Sequence, residues 1–258
     1  MFSRFHQIIL FLQVLFFVGP LWAVSLPDII EAVKPSIVGV GTYQATRQPR
    51  SQLQGTGFVV GDGHHVVTNA HVIDFELDVF AQEIRVAYLG SGPKPEMRKI
   101  EVVAQDKVHD LVLLKLDGPA LPAMKLGNSD VVREGECYLF TGFPIGAVLG
   151  LYPATHQAMI SAITPGTSPV PQAGQLSAVQ IRRLSETFTV FQLDTTAFPG
   201  NSGSPLFNSE TGEVIGVINK VFVQQSKEYI LENPSGISYA IPISFARALV
   251  NDAGIVEK

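Results

Sequence analysis

An all-β fold of two packed β-barrels with short flanking helices is predicted by three observations. From residue 36 onward the chain is a series of short runs rich in β-branched and apolar residues, broken by Gly, Pro and Asn. Short strands at such close spacing are the mark of a sandwich or barrel. The runs fall into two groups, about 36–125 and about 131–243, on either side of the Pro- and Gly-rich segment LDGPALPAMKLGNSD. Helical periodicity is confined to the ends.

Taken in order, LPDIIEAV is the first helix, and it stops at Lys34-Pro35 because proline removes an amide and clashes with the preceding turn. SIVGVGTY, GTGFVV, HHVVTNA, EIRVAYL, KIEVVAQ and LVLLKL then supply the strands of the first group. CYLFTGF, TFTVFQLD, EVIGVINKVFV and GISYAIPI supply those of the second, and PISFARALVNDAG closes the chain as a helix. The stretch TPGTSPVPQAGQLSAVQ, 164–180, has three prolines and no period, so it is expected to be a surface loop.

Ahead of these elements, Arg4 precedes an apolar run over 8–18, which Gly19 and Pro20 break before the small residues Ala23 and Ser25. This pattern predicts a signal peptide over 1–25 and a mature domain over 26–258. The alternative is an uncleaved anchor, but a spanning helix needs roughly 20 apolar residues and this run falls short. Contact with a membrane is therefore expected only through the signal peptide. A formal net charge of −5 gives no electrostatic case for nucleic acid, so a protein or peptide partner is the default. The single cysteine, Cys137, rules out an intramolecular disulfide and is expected to be a small buried hydrophobe in a strand.

Three segments carry chemistry: TNAHV at 68–72, HDLVLLKL at 109–116 and GNSGSPLF at 200–207. A serine hydroxyl is a weak nucleophile; it needs an imidazole to take its proton and a carboxylate to fix the imidazole's tautomer. His71, Asp110 and Ser202 can fill those roles in that chain order. Glycine at 200 and 203 permits the tight turn that would aim the amides of Gly200 and Ser202 at one oxyanion. The α/β-hydrolase elbow reads G-x-S-x-G with the order Ser, acid, His, whereas position 204 here is serine and the order is His, Asp, Ser. That is the chymotrypsin order. Since His71 and Asp110 lie in the first strand group and Ser202 in the second, the site is expected at the seam of the two barrels.

GTGFVVGDGHHVVTNAHVI, QDKVHDLVLLKL, FTGFPIGA, MISAI, QLDTTAFPGNSGSPLF, GEVIGVINKVF and ISYAIPIS resemble, in order, segments of the trypsin-like serine peptidases of the HtrA (Deg) group. The resemblance covers about 26–248. It implies six antiparallel strands in each barrel, a chymotrypsin/trypsin-like fold, and serine endopeptidase activity without metal or organic cofactor. It selects Asp110 over Asp106 as the catalytic carboxylate. It also implies export to a bacterial periplasm, a role in protein quality control, and in many members a trimer. Members often carry PDZ domains after the protease; the sequence here ends at Lys258 and none is expected in it. Ser204 stands where the group usually has glycine, a form also seen in glutamyl-endopeptidase-like relatives. By motif position, Thr196 falls at the base of the primary specificity pocket, where an Asp would select Lys or Arg. The strand Val217, Ile218, Asn219, Lys220 and Val221 is expected to pair with an extended substrate backbone.

Other histidines are assigned plainer roles. His64 and His65 are expected in a turn, with no partners at metal-ligand spacing. His109 is placed on a strand beside Asp110, and because strand neighbours point to opposite faces it is expected to turn away from the cleft. The competing reading of the whole chain is a catalytically quiet peptide-binding or chaperone-like module on the same fold.

Overall fold

A computed structural model describes residues 25–144, 151–166, 188–219 and 236–256 of the 258. The signal peptide expected over 1–25 lies, but for its last residue, outside the described residues. Strands β1 (Ile37–Tyr43), β2 (Ser51–Val60), β3 (His65–Asn69), β4 (Ile84–Leu89), β5 (Glu96–Asp106) and β6 (Leu111–Leu116) form one barrel. β7 (Cys137–Gly142), β8 (Ala154–Gly166), β9 (Phe188–Leu193), β10 (Pro205–Phe207), β11 (Val214–Asn219) and β12 (Ser238–Pro242) form the other. Each is closed and antiparallel, in the orders β1-β2-β3-β6-β5-β4 and β10-β11-β12-β9-β8-β7. This is the chymotrypsin-like architecture expected.

Three apolar clusters explain why the strands read as continuous hydrophobic runs. Along β6, Val112 and Leu114 point into the first barrel, while Leu111 and Leu113 point into a second cluster at the seam. A strand buried on both faces needs no polar alternation. The seam cluster also takes Phe58 and Val67 from the first barrel and Leu139, Phe207, Val217 and Ile241 from the second. Helix α1 (Leu26–Val33) adds Ile29 and Val33, and helix α2 (Ile243–Asp252) adds Ala246, Leu249 and Val250. Both helices thus seal the joint between the barrels. At the start of α1, Ser25 donates through its amide and hydroxyl to Asp28 Oδ2 (3.2 and 2.6 Å), closing the first turn. The linker is stitched to both sides: Met124 N donates to Val59 O (2.8 Å), Val214 N to Lys125 O (2.9 Å), and Arg247 of α2 to the carbonyl of Gly127 (2.8 Å).

Two expectations are corrected. The loop expected over 164–180 begins later, because β8 runs on to Gly166, pairing Thr164 with Val190 and Pro165 with Thr189. Proline is tolerated there because β7 pairs with β8 only as far as Met159, and among the described residues no strand bonds that side of Pro165. The remainder of that loop, from 167, lies outside the described residues. Cys137 is exposed rather than buried. Tyr138 and Phe140 take the inward face of β7; Cys137 shares the outward face with Leu139, which the other barrel covers while Cys137 lies beyond its reach.

His156 of β8 stacks on Phe140 (centroids 4.9 Å apart, 20° between planes), and its Nε2 is buried without a partner among the described residues. Burial holds its pKa below the usual histidine value. The unfolded chain therefore takes up this proton more readily than the native fold. The resulting stability is complete at neutral pH, begins to fall as pH drops through about 6.5, and stops falling below the depressed native value. His156→Phe, which keeps the stack, is expected to flatten the decline in Tm between pH 7.5 and 5. Equal slopes in parent and variant would refute this.

Candidate active site

His71 is delivered by a 3₁₀ turn, Ala70–Val72, directly after β3. Asp110 ends the tight turn from β5 and takes a left-handed conformation (φ 53°), which aspartate tolerates better than most residues. That turn is shaped by Asp106, whose Oδ1 accepts from the amides of Val108 (3.0 Å) and His109 (3.1 Å).

Every acceptor of Asp110 is used. Its carbonyl accepts from Ala70 N (3.0 Å) and Asn69 Nδ2 (3.1 Å), and Oδ1 accepts from His71 N (2.9 Å). Oδ2 accepts from His71 Nδ1 (2.6 Å) and from Asn219 Nδ2 (2.9 Å), reaching over from β11 of the other barrel. With Nδ1 donating to a carboxylate, the neutral ring carries its lone pair on Nε2. Among the described residues the hydrogen bonds of His71 run to Asp110 alone.

Ser202 lies on the loop before β10 and is 4% exposed. Its carbonyl accepts from Thr56 N (2.8 Å), and the next amide, Gly203 N, donates to Ile218 O (2.9 Å), the residue before Asn219. The serine loop is thereby tied to the strand that holds Asp110. Gly200 and Gly203 have φ of 99° and 85°. A Cβ at Gly203 would also overlap the Thr56 carbonyl oxygen and Thr68 Oγ1, so only glycine fits. The amides of Asn201, Gly203 and Ser204 are bonded to Phe198, Ile218 and Asn201 carbonyls, whereas those of Gly200 and Ser202 have no acceptor among the described residues.

Residues 55–217 match the family model of the trypsin-like peptidase domain. The chain belongs to the trypsin-like peptidases. This trypsin-like peptidase is 31% identical over 212 residues to a "Probable periplasmic serine endoprotease DegP-like" of Pseudomonas savastanoi pv. phaseolicola, covering 82% of the chain and 37% of that protein. A protein of the same description from Halomonas elongata is 32% identical over 193 residues, covering 74% of the chain and 33% of the relative. The peptidase chain thus spans about a third of the length of these relatives. Among solved structures, "HtrA-type protease AlgWS227A with tripeptide" superposes with a TM-score of 0.62 at 25% identity, over 89% of this chain and 63% of that one.

In the peptidase, Thr196 lies half-buried between β9 and the serine loop. The carbonyl of the preceding Thr195 accepts from Ser238 Oγ of β12. Val217 and Ile218 are wholly buried, and the amide and carbonyl of Ile218 are already bonded to Ser204 O (2.8 Å) and Gly203 N. Asn219 is wholly buried as well and pairs with Tyr239 of β12; Lys220 and Val221 lie outside the described residues. Ser204 is wholly buried, and its hydroxyl sits against Gly142, so it faces the interior behind the loop rather than the cleft.

His109 does turn away from the cleft, for a different reason from the one the strand pattern supplies: it belongs to the turn before β6. Its Nδ1 pairs with Asp106 Oδ2 (2.5 Å), and its ring stacks on Phe245 of α2 at 3.8 Å. Asp106 is thus occupied with His109. His65 starts β3 and pairs with Asp62 Oδ1 (2.8 Å), with His64 in the turn before it.

Proposed function

We propose that this chain is an exported serine endopeptidase that hydrolyses peptide bonds of unfolded proteins in the periplasm. The observation that carries the reading is the locked His71–Asp110 pair (2.6 Å), with the Ser202 loop tied within the second barrel to β11, the strand that bonds Asp110 across the seam. Similarity to relatives named as periplasmic serine endoproteases supports the location and the substrate class.

Ser202 Oγ attacks the scissile carbonyl while His71 Nε2 accepts its proton. Asp110 holds the ring in the required tautomer and stabilises the imidazolium that forms. The amides of Gly200 and Ser202 stabilise the oxyanion, His71 returns the proton to the leaving amine, and water then cleaves the acyl-enzyme by the same route. Thr196 provides a neutral pocket base, and Lys220 and Val221, which follow Asn219 in the chain, are the proposed partners of the substrate backbone. A trimer is the proposed assembly.

Incubation with a fluorophosphonate is expected to add one phosphonyl group, mapped by mass spectrometry to Ser202. Casein hydrolysis is expected to stop in proportion to labelling. Unlabelled Ser202 in a folded protein that still suppresses aggregation of an unfolded client would instead favour the chaperone-like module.

A further inference from the structure

Thr56, on β2 of the first barrel, is wholly buried and has every polar atom committed. Its hydroxyl donates to Gly200 O (2.6 Å) and accepts from Phe143 N (3.1 Å), both in the second barrel. Its amide donates to Ser202 O (2.8 Å), and its carbonyl accepts from Thr68 Oγ1 (2.6 Å), on the strand that delivers His71. One residue thus joins the histidine strand to two successive grips on the serine loop.

Those grips fall on the carbonyls of Gly200 and Ser202, the two residues of this loop whose amides have no acceptor among the described residues. Holding a residue's carbonyl fixes its rotation about Cα, and with it the direction in which the loop presents its neighbouring amides. A hydroxyl has one proton, and here that proton goes to Gly200 O because the Phe143 amide already occupies the acceptor side. The side chain therefore has one satisfied orientation. Removing the hydroxyl leaves Gly200 O and the buried Phe143 N without this partner, and the loop gains a reason to shift.

We propose that Thr56 is a positioning residue for the oxyanion-binding loop, acting from the opposite barrel through Gly200 and Ser202. The assignment rests on the reading of Ser202 as nucleophile and concerns turnover rather than substrate binding.

The test is steady-state kinetics on a fluorogenic peptide taken from a casein cleavage site. Thr56→Val keeps the side-chain shape and the backbone bonds but loses the hydroxyl. It is expected to lower kcat about 10- to 100-fold, the scale for a small displacement of catalytic donors, with KM changed less than about threefold. Thr56→Ser, which keeps the hydroxyl, is expected to retain kcat within about threefold of the parent. A purely structural role would instead move Tm and the active fraction, with kcat per labelled site unchanged.

Parent-like kcat in folded Thr56→Val, or Thr56→Ser as slow as Thr56→Val, overturns the proposal. If Thr56→Val does not fold, Thr56→Ala is read by the same criteria, per site labelled by fluorophosphonate. A Ser202→Ala arm separates the two failures. Inactive Ser202→Ala beside fully active Thr56→Val removes Thr56 alone, whereas active Ser202→Ala removes the nucleophile reading and this proposal with it.

Discussion

Ser202→Ala is expected to lower the rate of casein hydrolysis about 10⁴- to 10⁶-fold, the range seen when a nucleophile that works as a unit with its base is deleted. Only the oxyanion donors and substrate binding would remain to accelerate the reaction. The substitution removes one oxygen from a side chain whose hydroxyl, among the described residues, holds none of the loop's hydrogen bonds, which run instead through the Ser202 carbonyl and the Gly203 amide. Tm is therefore expected to stay close to that of the parent. Retention of a tenth or more of the parent rate by purified, folded Ser202→Ala would exclude Ser202 as nucleophile.

For Asp110→Asn the expected loss in kcat is about 10⁴-fold, with little change in fold. The argument follows from the donors that surround the carboxylate. Oδ1 faces His71 N, and Oδ2 faces His71 Nδ1 and Asn219 Nδ2, so all three neighbours present hydrogens. An amide can satisfy only one side. Its oxygen must stay opposite the fixed backbone amide of His71, which turns its NH₂ toward the ring. The ring relieves that clash by moving its proton to Nε2, and a protonated Nε2 cannot accept from Ser202. Measured kcat within about tenfold of the parent would show that Asp110 does not set the tautomer.

The two effects concern residues that differ in how openly the sequence displays them. Ser202, His71 and Asp110 stand in local motifs whose glycines and order carry meaning, so they are legible. Asn219 was readable only as part of a substrate-facing strand; its bond to Asp110 spans 109 positions. Thr56 lies in GTGFVV without any local signal of its role, and its partner Gly200 is 144 positions away. The exposure of Cys137 was hidden for a related reason. An apolar run shows that both faces of β7 have covered positions, as Leu139 does, but not how far along the strand the other barrel reaches. Ser204 is the opposite case, a conspicuous letter in the motif whose side chain is packed away from the cleft.

What the sequence determined by itself is local: strands buried on both faces, from continuous apolar runs such as LVLL; a glycine-framed serine; and the chain order of the histidine, aspartate and serine proposed as base, acid and nucleophile. Each follows from backbone sterics or from the two-residue period of a strand, which act between neighbours. Only the tertiary structure decided which groups are shared across the seam: the Asp110 carboxylate between His71 and Asn219, and the Thr56 hydroxyl between Gly200 and Phe143. Hydrogen bonds between distant residues depend on how two barrels pack, and packing is set by the whole buried surface rather than by any segment of it.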